Sequence, residues 1–158
     1  MIRVGIGYDS HRFGEGSAVV LGGVSIPHSH RLTGHSDADA VAHALIDAIL
    51  GACGAGDIGR LFPDTDPANK DADSMVLLAE AAAHIRASGW AMVQCDVTVL
   101  AEEPKLAHHV DAMQRKIAGV LHVDTNAVSI KAKTNEGMGF VGRGEGIAVI
   151  AVATVAQL

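Results

Sequence analysis

The chain has 158 residues, is 49% apolar but only 3% aromatic, and carries a formal net charge of −6. That length suits one domain, residues 1–158, with a substantial core and leaves no room for two. No basic block marks it for nucleic acid and no apolar run reaches transmembrane length, so both of those partner classes are excluded.

The first strand opens the chain. Ile2, Val4, Ile6 and Tyr8 alternate with Arg3, Gly5, Gly7, Asp9 and His11, the period of two of a half-buried strand. Asp9 and His11 therefore leave the same face, about 7 Å apart at Cα level. A carboxylate and an imidazole so placed can converge on one ion at bond lengths of about 2.0–2.2 Å. The plainer reading of this short pattern alone is a strand end with an exposed Asp and a chance His. Gly5 and Gly7 share that face and offer no side chain, which lets a ligand or another backbone approach closely.

After a glycine-flanked turn at Gly14-Glu15-Gly16, two short β runs flank Gly22-Gly23 and predict a hairpin. Pro27 closes it, and His28-Ser29-His30 follows in a polar connection; that His pair reads as surface residues. A first helix is expected from about Asp37 to Gly51, capped by Ser36 or Asp37, with a core stripe of Val41, Ala44, Leu45, Ala48 and Ile49. Asp39, His43 and Asp47 recur every fourth residue and share another face. The glycine-rich stretch to Gly59 ends the helix, and Phe62-Pro63-Asp64-Thr65-Asp66-Pro67 reads as a rigid acidic loop. A second helix spans about Ser74 to Ser88 and stops at Gly89. A strand from Val93 to Leu100, a helix from about Ala107 to Leu121 and a strand from Val128 to Thr134 follow. The last strand, Ile147 to Ala156, is apolar at nearly every position.

That final strand bears on assembly. A strand apolar on both faces needs cover on both, and three helices of this length cover one face of a four- or five-stranded sheet. The fold expected is α+β: a mixed sheet with helices on one face and the other buried against further copies of the chain. Cys53 and Cys95 stand far apart in apolar settings, which predicts free buried thiols and a cytoplasmic protein.

The chemistry gathers where these elements meet. If the first helix packs on the first strand, Asp9, His11 and His43 form a two-His, one-carboxylate set with a fourth position open, as a catalytic zinc requires. Asp39 or Asp47 then stands ready to orient His43. His35-Ser36-Asp37, at the expected helix start, reads either as an anion site or as plain capping. Ser129, Lys131 and Lys133 share a face, with Thr134 and Glu136 at the strand exit. That is either a solvated lysine edge or a place for a phosphate and its cation. Arg143 and Glu145, framed by three glycines, read as an ion pair or as an anion-binding arginine.

Taken together and in order, these motifs resemble the 2-C-methyl-D-erythritol 2,4-cyclodiphosphate synthases of the non-mevalonate isoprenoid pathway. The resemblance rests on Gly-Tyr-Asp-Ser-His at 7–11, Leu-Gly-Gly-Val at 21–24, His-Ser-Asp-Ala-Asp at 35–39 and His43. It continues in Gly-Asp-Ile-Gly at 56–59, Phe-Pro-Asp-Thr-Asp-Pro at 62–67, Ala-Glu-Glu-Pro-Lys-Leu at 101–106 and Gly-Phe-Val-Gly-Arg-Gly-Glu-Gly at 139–146. It implies a lyase that closes a cyclic diphosphate and expels CMP from a cytidine diphosphate-linked substrate, in a homotrimer with active sites between subunits. It further implies zinc at Asp9, His11 and His43, and Mg or Mn bridging phosphates beside Glu136. His35 and Thr134 are the implied transition-state stabilisers, and Ser36 an implied substrate contact.

In the same picture the cytidine lies against Ala101, Glu102, Glu103, Pro104, Lys105 and Leu106 and against Lys133 and Thr134 of a neighbouring subunit. Asp57, Ile58 and Gly59, with Phe62, Pro63, Asp64, Thr65 and Asp66, hold the methylerythritol portion. Asn135, Phe140 and Arg143 complete the contacts. Lys133 and Asn135 depart from the family pattern, which often has Thr at both; the pocket there uses mainly the Lys133 backbone. Two rival readings of the residues are a zinc phosphohydrolase and a non-catalytic metal-binding oligomer.

Overall fold

The computed structural model describes residues 1–158. Strand β1 (Ile2–Glu15) leads into the hairpin β2 (Ala18–Leu21) and β3 (Val24–Pro27), then β4 (His30–Leu32) and helix α1 (Ala40–Cys53). A short helix α2 (Ile58–Leu61) and a 3-10 turn at Pro67–Asn69 precede α3 (Ser74–Ala87) and β5 (Trp90–Leu100). Helix α4 (Val110–Leu121), a second 3-10 turn, β6 (Val128–Lys133), the short α5 (Gly139–Gly142) and β7 (Gly146–Gln157) complete the chain.

Five strands form one sheet in the order β4-β1-β7-β5-β6. β7 runs antiparallel to both β1 and β5, while β5 and β6 are parallel. A parallel pair needs a long crossover, and α4 supplies it. The sheet is thus mixed, as expected from the sequence, and the paired β2–β3 hairpin around Gly22-Gly23 also forms.

Helix α1 lies directly on β1. A Cβ at Gly5 would sit 2.0 Å from the Ala48 carbonyl oxygen, and one at Gly7 1.9 Å from that of Ala44. The bare glycine face therefore admits a helix backbone. With β1 and β7 beneath it and α3 beside it, α1 is buried on nearly every side, including the whole predicted stripe. The apolar side chains of β1 point the other way. Ile2, Val4, Ile6 and Tyr8 are 69%, 64%, 70% and 53% exposed, and Ile150 of β7 lies among them.

Several boundaries differ from the sequence expectation. β1 does not turn at Gly14; it continues to Glu15 because Phe13, Gly14 and Glu15 pair with Leu32, Arg31 and His30 of β4. Helix α1 starts at Ala40 with Asp39 as its cap, so Ser36 and Asp37 are not the capping residues. Asp39 wins because one buried carboxylate satisfies three donors: the N–H groups of Ala42 at 3.0 Å, Gly22 at 2.9 Å and Gly23 at 2.7 Å. Burial pushes this carboxyl up to about 6 against the pull of those donors. Both cysteines are free, and burial pushes the Cys95 thiol up to about 12.

Candidate metal centre

Asp9 and His11 project from β1 towards α1, where His43 comes down to meet them. Asp9 Oδ2 lies 2.8 Å from His11 Nε2 and 3.1 Å from His43 Nδ1, and the two imidazole nitrogens are 3.1 Å apart. Burial opposes ionisation of Asp9, but hydrogen bonds and charge from His11 and His43 outweigh it and hold the carboxyl at about 2. Burial likewise opposes the His11 cation, yet Asp9 and the Thr33 carbonyl raise its pKa above the ordinary value.

The three donor atoms form the one group of metal-ligand type in the molecule. Tetrahedral zinc with bonds of about 2.0–2.1 Å wants donors about 3.3 Å apart, so an ion fits after the side chains part by a few tenths of an ångström. The borderline N, N, O donor set suits such an ion. The trio keeps an open side, with the Asp9 side chain 26% exposed, so a further ligand has access. His11 Nδ1 lies 2.9 Å from the Thr33 carbonyl oxygen. Its N–H donates there, which leaves Nε2 free to bind a cation.

Behind His43 the structure corrects the sequence expectation. Neither Asp39 nor Asp47 touches the imidazole. Asp39 is held by backbone N–H groups, and Asp47 accepts from Ile58 N–H at 2.7 Å. His43 Nε2 instead lies 2.9 Å from Ser36 Oγ and 2.9 Å from Ser74 Oγ. Ser74 escaped notice because Asp73-Ser74 reads only as the start of a helix, and its tie to α1 spans 31 residues. No local pattern encodes such a contact.

The other expected residues fall into two groups. His35 is exposed in the bend before α1. The backbone N–H groups at the start of α1 are not open to an anion, since Ala40, Val41 and Ala42 are fully buried and Asp39 takes the Ala42 N–H. Asp57 caps α2, Phe62 is buried beneath it, and Pro63, Asp64, Thr65 and Asp66 are exposed. The second group lies where the parallel strands β5 and β6 end. Ala101 N–H donates to the Lys133 carbonyl at 2.9 Å, and Glu102 Oε1 accepts from Asn135 N–H at 2.9 Å and Gly137 N–H at 3.3 Å. Residues 101–106 and 134–137 are therefore braced as one ledge, with Thr134 and Glu136 exposed on it. Lys131 pairs with Asp96 on the surface, both side chains half exposed. Arg143 makes two 2.9 Å contacts to Glu145, an ion pair exposed at the turn.

The description "YgbB family" belongs to the family model that matches residues 2–156. A 2-C-methyl-D-erythritol 2,4-cyclodiphosphate synthase of Gemmatimonas aurantiaca is 53% identical over 155 residues, 98% of this chain and 93% of its own length. One from Bordetella petrii is 56% identical over 155 residues, 98% of this chain and 96% of its own. Among solved structures, a 2C-methyl-D-erythritol-2,4-cyclodiphosphate synthase in its CDP-bound form superposes with a TM-score of 0.90 at 36% identity, covering 98% of this chain and 100% of that one. A bifunctional IspDF from Campylobacter jejuni gives 0.96 at 44% identity over all of this chain, which spans 43% of that longer protein.

Proposed function

The chain belongs to the YgbB family, and from that premise we infer that it converts 4-diphosphocytidyl-2-C-methyl-D-erythritol 2-phosphate to 2-C-methyl-D-erythritol 2,4-cyclodiphosphate and CMP. The observation that carries this reading is the Asp9–His11–His43 trio, assembled with one side open. The reaction is an intramolecular phosphoryl transfer. An oxygen of the 2-phosphate bonds to the β-phosphorus while the bond from that phosphorus to the α-phosphate oxygen breaks, and CMP leaves with the electron pair. The attacking oxygen is already anionic, so no strong general base is called for.

Zinc is assigned to Asp9, His11 and His43, and Mg or Mn to Glu136 with the substrate diphosphate. Bound ions of this kind screen phosphate charges from one another and polarise a phosphoryl oxygen. His35 and Thr134 are placed as donors to the transition state, with Ser36 beside the trio. On the ledge of a neighbouring copy, residues 101–106 with Lys133 and Thr134 take the cytidine, and Asn135 adds a contact beside them. Residues 57–59 and 62–66 take the methylerythritol end, with Phe140 and Arg143 closing the contacts. Gripping a flexible substrate at both ends supplies proximity, worth about 7–11 kcal/mol in well-oriented cases.

The whole chain is assigned as one domain, working in the cytoplasm as a homotrimer. Three features support assembly. The outer sheet face is apolar along β1, and Ile2 to His11 pair only with β7, so one long strand edge is open. The trio on β1 and the ledge on β6 are separated by β7 and β5, about 14 Å at ordinary strand spacing, which favours a site completed by a neighbouring copy. Sedimentation at micromolar concentration is expected to give about three chain masses; a monomer there removes the shared-site reading.

The functional test is CMP release from the cytidylyl substrate. Turnover is expected to vanish with chelator and return with metal, and Glu136→Gln is expected to shift the Mg requirement upward. A hydrolysed linear product in place of the cyclic diphosphate would instead favour a phosphohydrolase.

A further inference from the structure

We propose that Ser74, backed by Asp37, is the residue that positions His43 for metal binding. This rests on the metal assignment above. Asp39 and Ser74 are the two polar residues the fold buries. A hydroxyl is costly to bury without partners, and those of Ser74 are specific. Its backbone N–H donates to Asp37 Oδ2 at 3.0 Å, its hydroxyl donates to Asp37 Oδ1, and its oxygen faces His43 Nε2 at 2.9 Å. Helix capping does not account for the hydroxyl, because Asp73 already caps α3 through Met75 N–H at 2.8 Å.

The proton inventory leaves one arrangement for the metal-binding state. His43 Nδ1 points at Asp9 and His11, so it must offer a lone pair to the ion, and the proton then resides on Nε2. Ser74 has given its own hydrogen to Asp37, so its oxygen is turned to accept that Nε2–H. Asp37 is itself held by Ser74 and by Asp39 N–H at 3.1 Å. The chain His43 Nε2–H to Ser74 O–H to Asp37 is a carboxylate–imidazole pairing lengthened by one hydroxyl. It fixes the tautomer and ring orientation of the ligand, the service that carboxylates behind metal-bound histidines perform directly. Ser36 Oγ, 2.9 Å from the same Nε2 and 3.4 Å from Ser74 Oγ, is a second acceptor for that N–H, but it has no carboxylate behind it to fix its hydroxyl.

The test is zinc affinity, measured by competition with a chromophoric chelator on wild type, Ser74→Ala, Ser74→Thr and Asp37→Asn. Loss of such a partner typically costs about 10–100-fold in metal affinity. Ser74→Ala is expected to show that loss, Asp37→Asn a loss in the same direction, and Ser74→Thr, which keeps the hydroxyl, to recover most of it. The rise in Tm on adding zinc should shrink in parallel. A merely structural serine would lower Tm with and without zinc alike and leave the affinity unchanged. If Ser74→Ala does not fold, Asp37→Asn carries the comparison. Affinities within twofold of wild type in the folded variants overturn the proposal while leaving the metal site standing; a wild type that binds no zinc overturns both.

Discussion

Gly7→Ala is expected to destabilise the fold strongly and to weaken metal binding at the trio. The added Cβ would lie 1.9 Å from the Ala44 carbonyl oxygen and 2.8 Å from Ala48 N, both main-chain atoms of α1. No rotamer relieves a clash with backbone, so the helix must lift from β1. His43 precedes Ala44 and lifts with it. Overpacked cores typically lose about 1–3 kcal/mol, and this contact lies at or beyond the upper end. At about 2–4 °C per kcal/mol for a chain of this size, Tm should fall by about 10 °C. Gly51→Ala is the control. It lies within α1 with its nearest neighbour, the Ile6 carbonyl oxygen, 3.9 Å away, and should be neutral or gain about 0.5–1 kcal/mol from helix propensity. Equal Tm values for the two variants would mean that backbone contact does not set the height of α1.

His43→Ala is expected to abolish zinc binding and to lower turnover by at least about 10³-fold. Two remaining donors do not make the three-ligand set of a catalytic site, and Ser36 and Ser74 lose the ring that separates them from the ion. The measurements are metal content of the purified variant and CMP release with zinc restored. Full zinc occupancy in His43→Ala would remove this imidazole from the ligand set and take the carrying observation with it.

Much of the site was readable from periodicity alone. The alternation in β1 put Asp9 and His11 on the glycine face, and helical spacing put His43 beside the apolar stripe of α1; that the helix packs on this strand stood only as a condition, which the close approach of Ala44 and Ala48 to Gly7 and Gly5 meets. The open sheet face was readable from β7, which is apolar on both sides. What could not be read were long-range polar ties. Asp39 looked like a partner for His43 by its spacing, but Gly22 and Gly23 claimed it, because a hairpin distant in sequence needed its N–H groups satisfied. Ser74 carried no local mark at all. The start of α1 lies three residues beyond the expected one for the same reason: Ser36 and Asp37 are good caps by type, and only tertiary contacts hand the role to Asp39. The short α2 and α5, of four residues each, are below the length at which a hydrophobic period can register.

The uncovered side of β1 has a practical bearing. A solitary copy presents a sticky ribbon of Ile2, Val4, Ile6 and Tyr8 next to main-chain groups without a strand partner along the same border, the combination that recruits wrong neighbours as readily as right ones. Prolonged storage should therefore end in precipitation wherever this ribbon is left bare.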